Sequence, residues 1–190
     1  MGVVRYITHP DVVVDPSAPV PQWRLSELGR RRLDVMLGQP WVASIRRVIC
    51  STETKSIEAA TLLASHLRLT VEPRPDTGEL DRSATGFLPA DEHERVADAC
   101  FARPDEHASG WERAVDAQAR IVGALADLFD AAANGGDVAV VGHGGVGTLW
   151  WCHVAGLAID RRWDQPRQGH HLAVDATTRR PLHHWLPIDA

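Results

Sequence analysis

Cysteine is scarce in this sequence of 190 residues, and long apolar runs are missing from it. Cys50, Cys100 and Cys152 lie far apart, form no CxxC pair and are odd in number, so a disulfide framework is not expected. Reduced cysteines are typical of the cytoplasm. No apolar stretch approaches the ~20 residues that cross a bilayer, and the first residues lack the apolar segment of a signal peptide. We therefore expect a cytoplasmic protein with no membrane partner.

An excess of positive charge is also missing. The 20 Lys and Arg residues are outnumbered by 25 Asp and Glu residues, which gives a formal net charge of -5. Because nucleic-acid-binding domains usually carry a basic surface, no nucleic-acid partner is expected. With 44% hydrophobic residues, a chain of this length is sufficient for one sizeable core. We predict a single domain over 1–190, with an insertion at about 73–108 where turn residues and charges are mixed.

Hydrophobic patterns along the chain alternate between those of strands and those of helices. The continuous apolar run at 138–141 is typical of a strand buried on both faces, and the amphipathic pattern at 109–133 predicts a long helix. Further strands are predicted at 3–7, 47–50, 69–72, 172–175 and 182–186, and further helices at 27–37, 57–67, 92–100 and 146–157. This alternation predicts an α/β fold, a three-layer α/β/α sandwich with a mainly parallel central sheet.

Three of the predicted strands run directly into polar residues that can take part in chemistry. His9 follows the first strand, Ser51 follows the second, and His143 follows the strand at 138–141. In parallel α/β sheets, ligands bind at the carboxyl ends of the strands. The sequence therefore predicts an active site that contains His9, Ser51 and His143.

The residues around these strand ends suit phosphoryl transfer through histidine. A neutral imidazole can attack phosphorus and form a covalent intermediate, and His9 is the candidate nucleophile. Thr54 and Lys55 stand at a predicted helix start, where backbone N–H groups and cationic side chains bind anions. His143 is the candidate for stabilising charge on the transferring phosphoryl group.

Two glutamates compete for the role of proton donor to the leaving oxygen. Glu79, in the predicted insertion, fits this role if burial or a nearby phosphate raises its pKa. Glu53 is the alternative, because it lies close to the end of the second strand. The sequence leaves this choice open.

Five segments occur in the order seen in a known family. They read Ile-Thr-His-Pro-Asp at 7–11, Leu-Ser-Glu-Leu-Gly at 25–29, Cys-Ser-Thr-Glu-Thr-Lys-Ser-Ile-Glu-Ala-Ala at 50–60, Gly-Glu-Leu at 78–80 and Val-Val-Gly-His-Gly-Gly-Val at 140–146. The chain thereby resembles the histidine phosphatase (phosphoglycerate mutase-like) superfamily over nearly its whole length. The resemblance implies that His9 is the phosphorylated histidine, Glu79 the acid/base and His143 the second pocket histidine. It also implies a set of phosphate- and substrate-binding residues, which comprises Thr8, Ser51, Thr54, Lys55 and Gly144.

The pocket departs from the family pattern at four positions. Thr8 stands where the family has an arginine before the nucleophile, so one positive charge is lost. Lys55 replaces a second pocket arginine, which keeps the charge but loses the planar guanidinium that can bind a phosphate with two hydrogen bonds. Pro10 replaces the glycine after His9 and removes a backbone N–H. Asp15 stands where many members carry asparagine, and it would repel a phosphate if its side chain pointed inward. Weak or altered phosphatase activity is therefore expected.

Two pairs of adjacent histidines, at 170–171 and 183–184, invite comparison with a metal site. Neighbouring residues on a strand point to opposite faces, so each pair offers only one ligand to a shared site. No HxxxH pair or cysteine partner accompanies them. We expect no metal and assign these histidines to the core or to solvent.

These observations support two main hypotheses about function. The first is a metal-independent phosphohydrolase that needs no cofactor and acts on a small phosphorylated substrate through a phospho-histidine. The second is a family member with a degraded phosphate pocket that binds a ligand or partner without turnover. A phosphoglycerate mutase is a third hypothesis. Such an enzyme must hold a doubly anionic substrate, and the predicted pocket contains few cationic residues. The oligomeric state is left open.

Overall fold

Six strands and five helices are found in the part of the chain that the computed structural model describes, residues 2–190. The strands are β1 (Val3–Thr8), β2 (Ile45–Cys50), β3 (Val71–Pro73), β4 (Asp137–Gly142), β5 (His170–Asp175) and β6 (Pro181–Pro187). The helices are α1 (Glu27–Leu37), α2 (Thr54–Leu67), α3 (Ala90–Ala102), α4 (Ala114–Gly135) and α5 (Gly144–Val154). No helix within residues 2–190 is long and apolar enough to cross a membrane.

All six strands form one sheet, in the order β3-β2-β4-β1-β5-β6. The first four of these strands are mutually parallel, whereas β5 runs antiparallel to β1 and β6 runs antiparallel to β5. The prediction of a mainly parallel sheet is therefore confirmed. Because β1, β2 and β4 are parallel neighbours, their carboxyl ends meet at one edge of the sheet.

Apolar side chains form a core on each face of the sheet. Helices α4 and α5 cover one face, where Tyr6 and Leu125 are fully buried. Helices α1 and α2 cover the other face, where Ile7 and Leu63 are fully buried. Successive residues of a strand point to opposite faces, so β1 contributes to both cores. The predicted three-layer α/β/α sandwich is confirmed by this arrangement.

Most of the predicted elements occur within a few residues of their expected bounds, and the largest difference is at the start of α4. The Ser26 hydroxyl accepts a hydrogen bond from the Gly29 N–H at 3.0 Å, as expected of the N-cap of α1. Helix α4, however, begins at Ala114 instead of 109. Ser109 and Gly110 have φ angles of 51° and 79°, a left-handed backbone that an α-helix cannot continue. The stretch at 73–108 contains α3, and its status as an insertion stays a prediction.

Candidate active site

The ends of β1 and β4 bring two histidines together. The two strands are paired in parallel with Thr8 opposite Gly142, so the residues that follow them are also neighbours. The N–H of His9 donates to the carbonyl of Gly142 at 3.0 Å. The ring centroids of His9 and His143 lie 5.3 Å apart in an edge-on arrangement. A phosphoryl group in contact with one ring would therefore be within reach of the other.

The side chain of His9 is held in one tautomer. Its Nδ1 lies 2.9 Å from the carbonyl oxygen of Pro10, and a carbonyl can only accept, so Nδ1 carries the proton. The pKa of His9 is lowered to about 3, first by burial and then by the neighbouring His143. The ring is therefore neutral at neutral pH, with the lone pair on Nε2. This is the state that a nucleophile toward phosphorus needs.

His143 is fixed through both its ring and its backbone. Its Nε2 lies 2.7 Å from the Ser51 hydroxyl and 3.3 Å from Oε1 of Glu53. The Tyr6 hydroxyl accepts from the His143 N–H at 3.0 Å and donates to its carbonyl at 3.2 Å. Burial lowers the pKa of His143, although Glu53 and Glu79 oppose this shift. Within residues 2–190 its buried Nδ1 has no hydrogen-bond partner, so a protonated ring would have this N–H free for a phosphoryl oxygen.

The carboxylate of Glu79 is seated on the start of α5. Its two oxygens accept hydrogen bonds from the N–H groups of Gly145 at 3.1 Å and Val146 at 3.0 Å, and Oε1 also accepts from Leu80 N–H at 3.0 Å. Burial raises the pKa of Glu79, but His143 and Arg82 act in the other direction and the net shift is downward. The sequence-based condition for a proton donor, a raised pKa, is therefore not met in this structure.

Lys55 is buried in the site and forms an ion pair with Glu53. Its Nζ also donates to the carbonyl of Val20 at 2.9 Å. Burial alone would raise the pKa of Glu53, but His143 and Lys55 lower it to about 2. Oε1 of Glu53 accepts a hydrogen bond from the Glu79 N–H at 3.1 Å, which links the two candidate acids. The charge of Lys55 is thus compensated by the carboxylate of Glu53.

Thr8 directs its hydroxyl toward the segment before β5. Its Oγ1 donates to Oε1 of Gln165 at 2.6 Å and accepts from the His170 N–H at 3.0 Å. Gln165 in turn packs against Gly144, where an added Cβ would lie 2.5 Å from its amide nitrogen. Thr8 and Gly144 are therefore both in contact with Gln165. The binding roles of Thr8 and Gly144 stay predictions.

Asp15 and Thr54 have less direct connections to the histidines. Asp15 is exposed, and its carboxylate accepts from the N–H and hydroxyl of Ser17 at 2.9 and 2.6 Å. Its charge is therefore held on the surface loop instead of being packed against His9. Thr54 is the first residue of α2 and is partly buried, so its predicted role as a phosphate ligand stays open.

The site histidines are buried, and the loops that carry Trp23 and Phe87 contact each other. Trp23 and Phe87 contact each other with ring centroids 5.8 Å apart, and the Trp23 indole N–H donates to the Asp15 carbonyl at 2.8 Å. His9 is only 6% exposed and Lys55 only 3%.

Arg120, which sequence reasoning missed, positions the segment that carries Glu79. Its guanidinium donates to the carbonyls of Gly78 at 2.9 Å and Glu79 at 3.2 Å. It is fixed in turn by two hydrogen bonds to the carboxylate of Glu112, at 3.0 and 2.7 Å. Glu112 precedes α4 and Arg120 lies within it. No local pattern reveals such a contact between separate segments, so the sequence alone offered no signal for it.

A sequence profile of the histidine phosphatase superfamily (branch 1) matches residues 21–179. The match includes Lys55, Glu79 and His143 but begins after His9, so the assignment of His9 rests on its place in the fold. No curated protein matches the sequence.

Solved structures with the same fold include several phosphatases. The mycobacterial glucosyl-3-phosphoglycerate phosphatase with inorganic phosphate is 16% identical, with a TM-score of 0.77 and 100% of each chain covered. Bacillus stearothermophilus YhfR is 16% identical, with a TM-score of 0.77 and coverage of 99% of this chain and 97% of that one. A putative α-ribazole-5′-P phosphatase from Escherichia coli is 19% identical, with a TM-score of 0.75 and coverage of 100% and 97%. At these identities the likeness establishes the fold.

Proposed function

The chain belongs to the histidine phosphatase superfamily, and from that premise we propose that it is a metal-independent phosphatase acting through a phosphorylated His9. The observation that carries the proposal is the pair of buried imidazoles 5.3 Å apart at the ends of β1 and β4. One of them, His9, is neutral and has its Nδ1 proton fixed by the Pro10 carbonyl. The substrate is proposed to be a small phosphorylated molecule.

The reaction follows from the position of each group. The lone pair on Nε2 of His9 attacks phosphorus, an N–P bond forms and the bond from phosphorus to the leaving oxygen breaks. His143 donates its Nδ1–H, which has no other partner among residues 2–190, to a non-bridging oxygen as negative charge develops there. Glu79 gives its proton to the leaving oxygen. Water then attacks phosphorus, Glu79 takes up the proton of the water, and the N–P bond breaks to regenerate His9.

Glu79 acquires its proton when the substrate binds. In this structure the pKa of Glu79 lies below the usual value, because the effects of His143 and Arg82 outweigh burial. A phosphate dianion close to this carboxylate would destabilise its charged form and raise its pKa. Substrate binding is therefore expected to be coupled to proton uptake, with tighter binding as the pH falls.

The alternative is a protein that binds a ligand without turnover. The ion pair between Lys55 and Glu53 favours it, because it compensates the one cation that sequence reasoning placed in the phosphate pocket. Thr8, which occupies the position of a family arginine, also brings no charge. A pocket of this kind would hold a phosphate dianion less firmly than one with two arginines.

Phosphate release from a panel of esters separates the two proposals. The panel contains p-nitrophenyl phosphate and the substrates named for the structural neighbours, glucosyl-3-phosphoglycerate and α-ribazole 5′-phosphate. Wild type, His9→Ala and His66→Ala, an exposed histidine on α2, are assayed with a metal chelator present. We expect His9→Ala alone to lower kcat/KM by about a thousandfold or more.

Two results would contradict the proposal. Release that survives in His9→Ala would remove His9 as the nucleophile. A folded wild-type protein that releases no phosphate from any ester, and in which no phosphoryl group can be detected on His9 by mass spectrometry, would favour the binding alternative.

A further inference from the structure

Arg82 lies three residues after Glu79, in a tight turn beside the site. Its carbonyl accepts hydrogen bonds from the N–H groups of Thr85 at 3.1 Å and Gly86 at 2.9 Å, which close the turn. Its guanidinium lies over the ring of Trp111, 5.4 Å from the centroid. The indole N–H of Trp111 donates to the Thr85 hydroxyl at 2.9 Å. The turn and the buried indole together therefore hold the guanidinium in place.

Arg82 differs from three other arginines of the chain in the partners of its side chain. Within residues 2–190 Arg82 forms no ion pair, whereas Arg74, Arg120 and Arg161 each bind at least one carboxylate. Its polar side-chain partner is the Nε2 atom of His93. Burial, followed by Arg82 itself, lowers the pKa of His93, so this ring is neutral and serves as an acceptor. A partly buried guanidinium with only neutral partners is free to bind an anion.

The position of Arg82 connects it with the phosphoryl-transfer groups. Glu79, three residues before Arg82, has its carboxylate on the N–H groups of Gly145 and Val146, shortly after His143. In keeping with this placement, the charge of Arg82 lowers the pKa of both Glu79 and His143. Lys55 already has Glu53 as its counterion. Arg82 is therefore a cation near Glu79 and His143 that forms no ion pair with a carboxylate among residues 2–190.

We propose that Arg82 binds a non-bridging oxygen of the substrate's phosphoryl group and supplies the cation that Thr8 does not provide. This inference rests on the proposed function and adds a specific binding residue to it. The planar guanidinium can make two parallel hydrogen bonds to a phosphoryl group, and its platform on Trp111 reduces the entropy lost when it does so. Arg82 thereby supplies, from a different segment of the chain, the positive charge that the family arginine provides at the position of Thr8.

The test uses inorganic orthophosphate as the probe and calorimetry as the measurement. Arg82→Gln removes the charge, Arg82→Lys keeps it without the fork, and Arg31→Gln removes an exposed arginine of α1 as the matched control. We expect the phosphate Kd to rise about 10- to 100-fold in Arg82→Gln and to take an intermediate value in Arg82→Lys. In Arg31→Gln the Kd should match that of wild type. KM for a phosphate ester should rise in parallel with Kd.

A merely structural role for Arg82 gives a different pattern. Loss of its contact with Trp111 would lower Tm but leave both Kd and its dependence on salt at the wild-type level. That result, in a wild type that binds phosphate and hydrolyses esters, would overturn the role of Arg82 and leave the proposed function intact. Absence of both phosphate binding and ester hydrolysis in folded wild type would overturn the proposed function and this inference with it.

Discussion

The sheet carries two pairs of histidines whose rings are arranged alike. The His9 and His143 centroids lie 5.3 Å apart, and those of His171 and His183 lie 4.9 Å apart, both edge-on. Burial is the main reason why the pKa of His9 and that of His171 are each lowered to about 3. Ring geometry and burial therefore do not distinguish the pair at the strand ends from the pair on β5 and β6.

The two pairs differ in what surrounds them. Glu53 lies close to His143 and Glu79 is seated on the start of α5. The second pair contacts a guanidinium directly, since Nη1 of Arg5 lies 3.2 Å from Nδ1 of His171 and 3.4 Å from Nε2 of His183. Carboxylates and a helix N-terminus can support proton transfer and anion binding, whereas a guanidinium opposes protonation of either ring. The neighbours of a histidine pair, more than the geometry of its rings, therefore decide whether the pair can do chemistry.

The largest expected effect comes from exchanging one histidine in each pair. His143→Gln should lower kcat for phosphate release by about 100- to 1000-fold, as loss of a donor to the developing charge does in other enzymes. His183→Gln, in the pair without carboxylates, should retain the wild-type kcat. Steady-state assays of both variants check this, with Tm as the measure of folding. Equal losses in the two variants at equal Tm would erase the distinction between the pairs.

The two carboxylates beside the first pair can be separated by a matched exchange. Glu79→Gln should lower kcat by about 100-fold for esters with poor leaving groups, because the leaving oxygen loses its proton donor. Glu53→Gln should lower the Kd for orthophosphate by about fivefold, because it removes a negative charge and releases Lys55. Kinetics with alkyl and nitrophenyl esters, together with calorimetry, measure the two effects. A larger loss of kcat in Glu53→Gln than in Glu79→Gln would assign the acid to Glu53.

Acid should weaken the fold through both pairs. His9 and His171 are neutral in the folded protein with pKa values of about 3, whereas in the unfolded chain they titrate at about 6.5. The unfolded state therefore binds more protons, so stability is retained above about pH 6.5 and is lost as the pH falls toward 3. Each histidine should contribute up to ~1.4 kcal/mol per pH unit, a tenfold change in the folding equilibrium.

Urea unfolding between about pH 7 and pH 5 measures this slope. Replacing the His171 imidazole in His171→Asn should make the slope shallower, and His66→Asn, at an exposed position, should leave it unchanged. An unfolding midpoint that is independent of pH in wild type would contradict the assignment of neutral, buried rings.

Local patterns were sufficient to predict the parallel sheet and the meeting of His9 with His143. Apolar runs mark β1 and β4, and parallel pairing then requires that the residues after them be neighbours. The Ser26 cap was predictable for the same reason, since its hydrogen bond spans only three residues.

Contacts between distant segments were not predictable from these patterns. Arg120 donates hydrogen bonds to the segment that carries Glu79, and Arg82 packs over the ring of Trp111. Both contacts depend on how the loops pack after the sheet has formed. The pKa of Glu79 also required the structure, because burial and nearby cations act in opposite directions and only their positions decide the balance. The charge compensation of Lys55 by Glu53 could not be read from their spacing either.

The Tyr6 hydroxyl, which clamps the backbone of His143, also limits how this site can change by mutation. An added Cβ at Gly142 would lie 2.2 Å from that hydroxyl oxygen, and one at Gly147 would lie 2.6 Å from the Tyr6 ring. Both glycines therefore make room for the phenol, and no other side chain fits while Tyr6 is present. A smaller residue at position 6 would relieve the crowding but release the clamp on His143. Positions 6, 142 and 147 are consequently coupled, because a change at one of them is compatible with the fold only if another changes as well. In a mutational scan for activity, a single substitution at any of the three is expected to reduce activity.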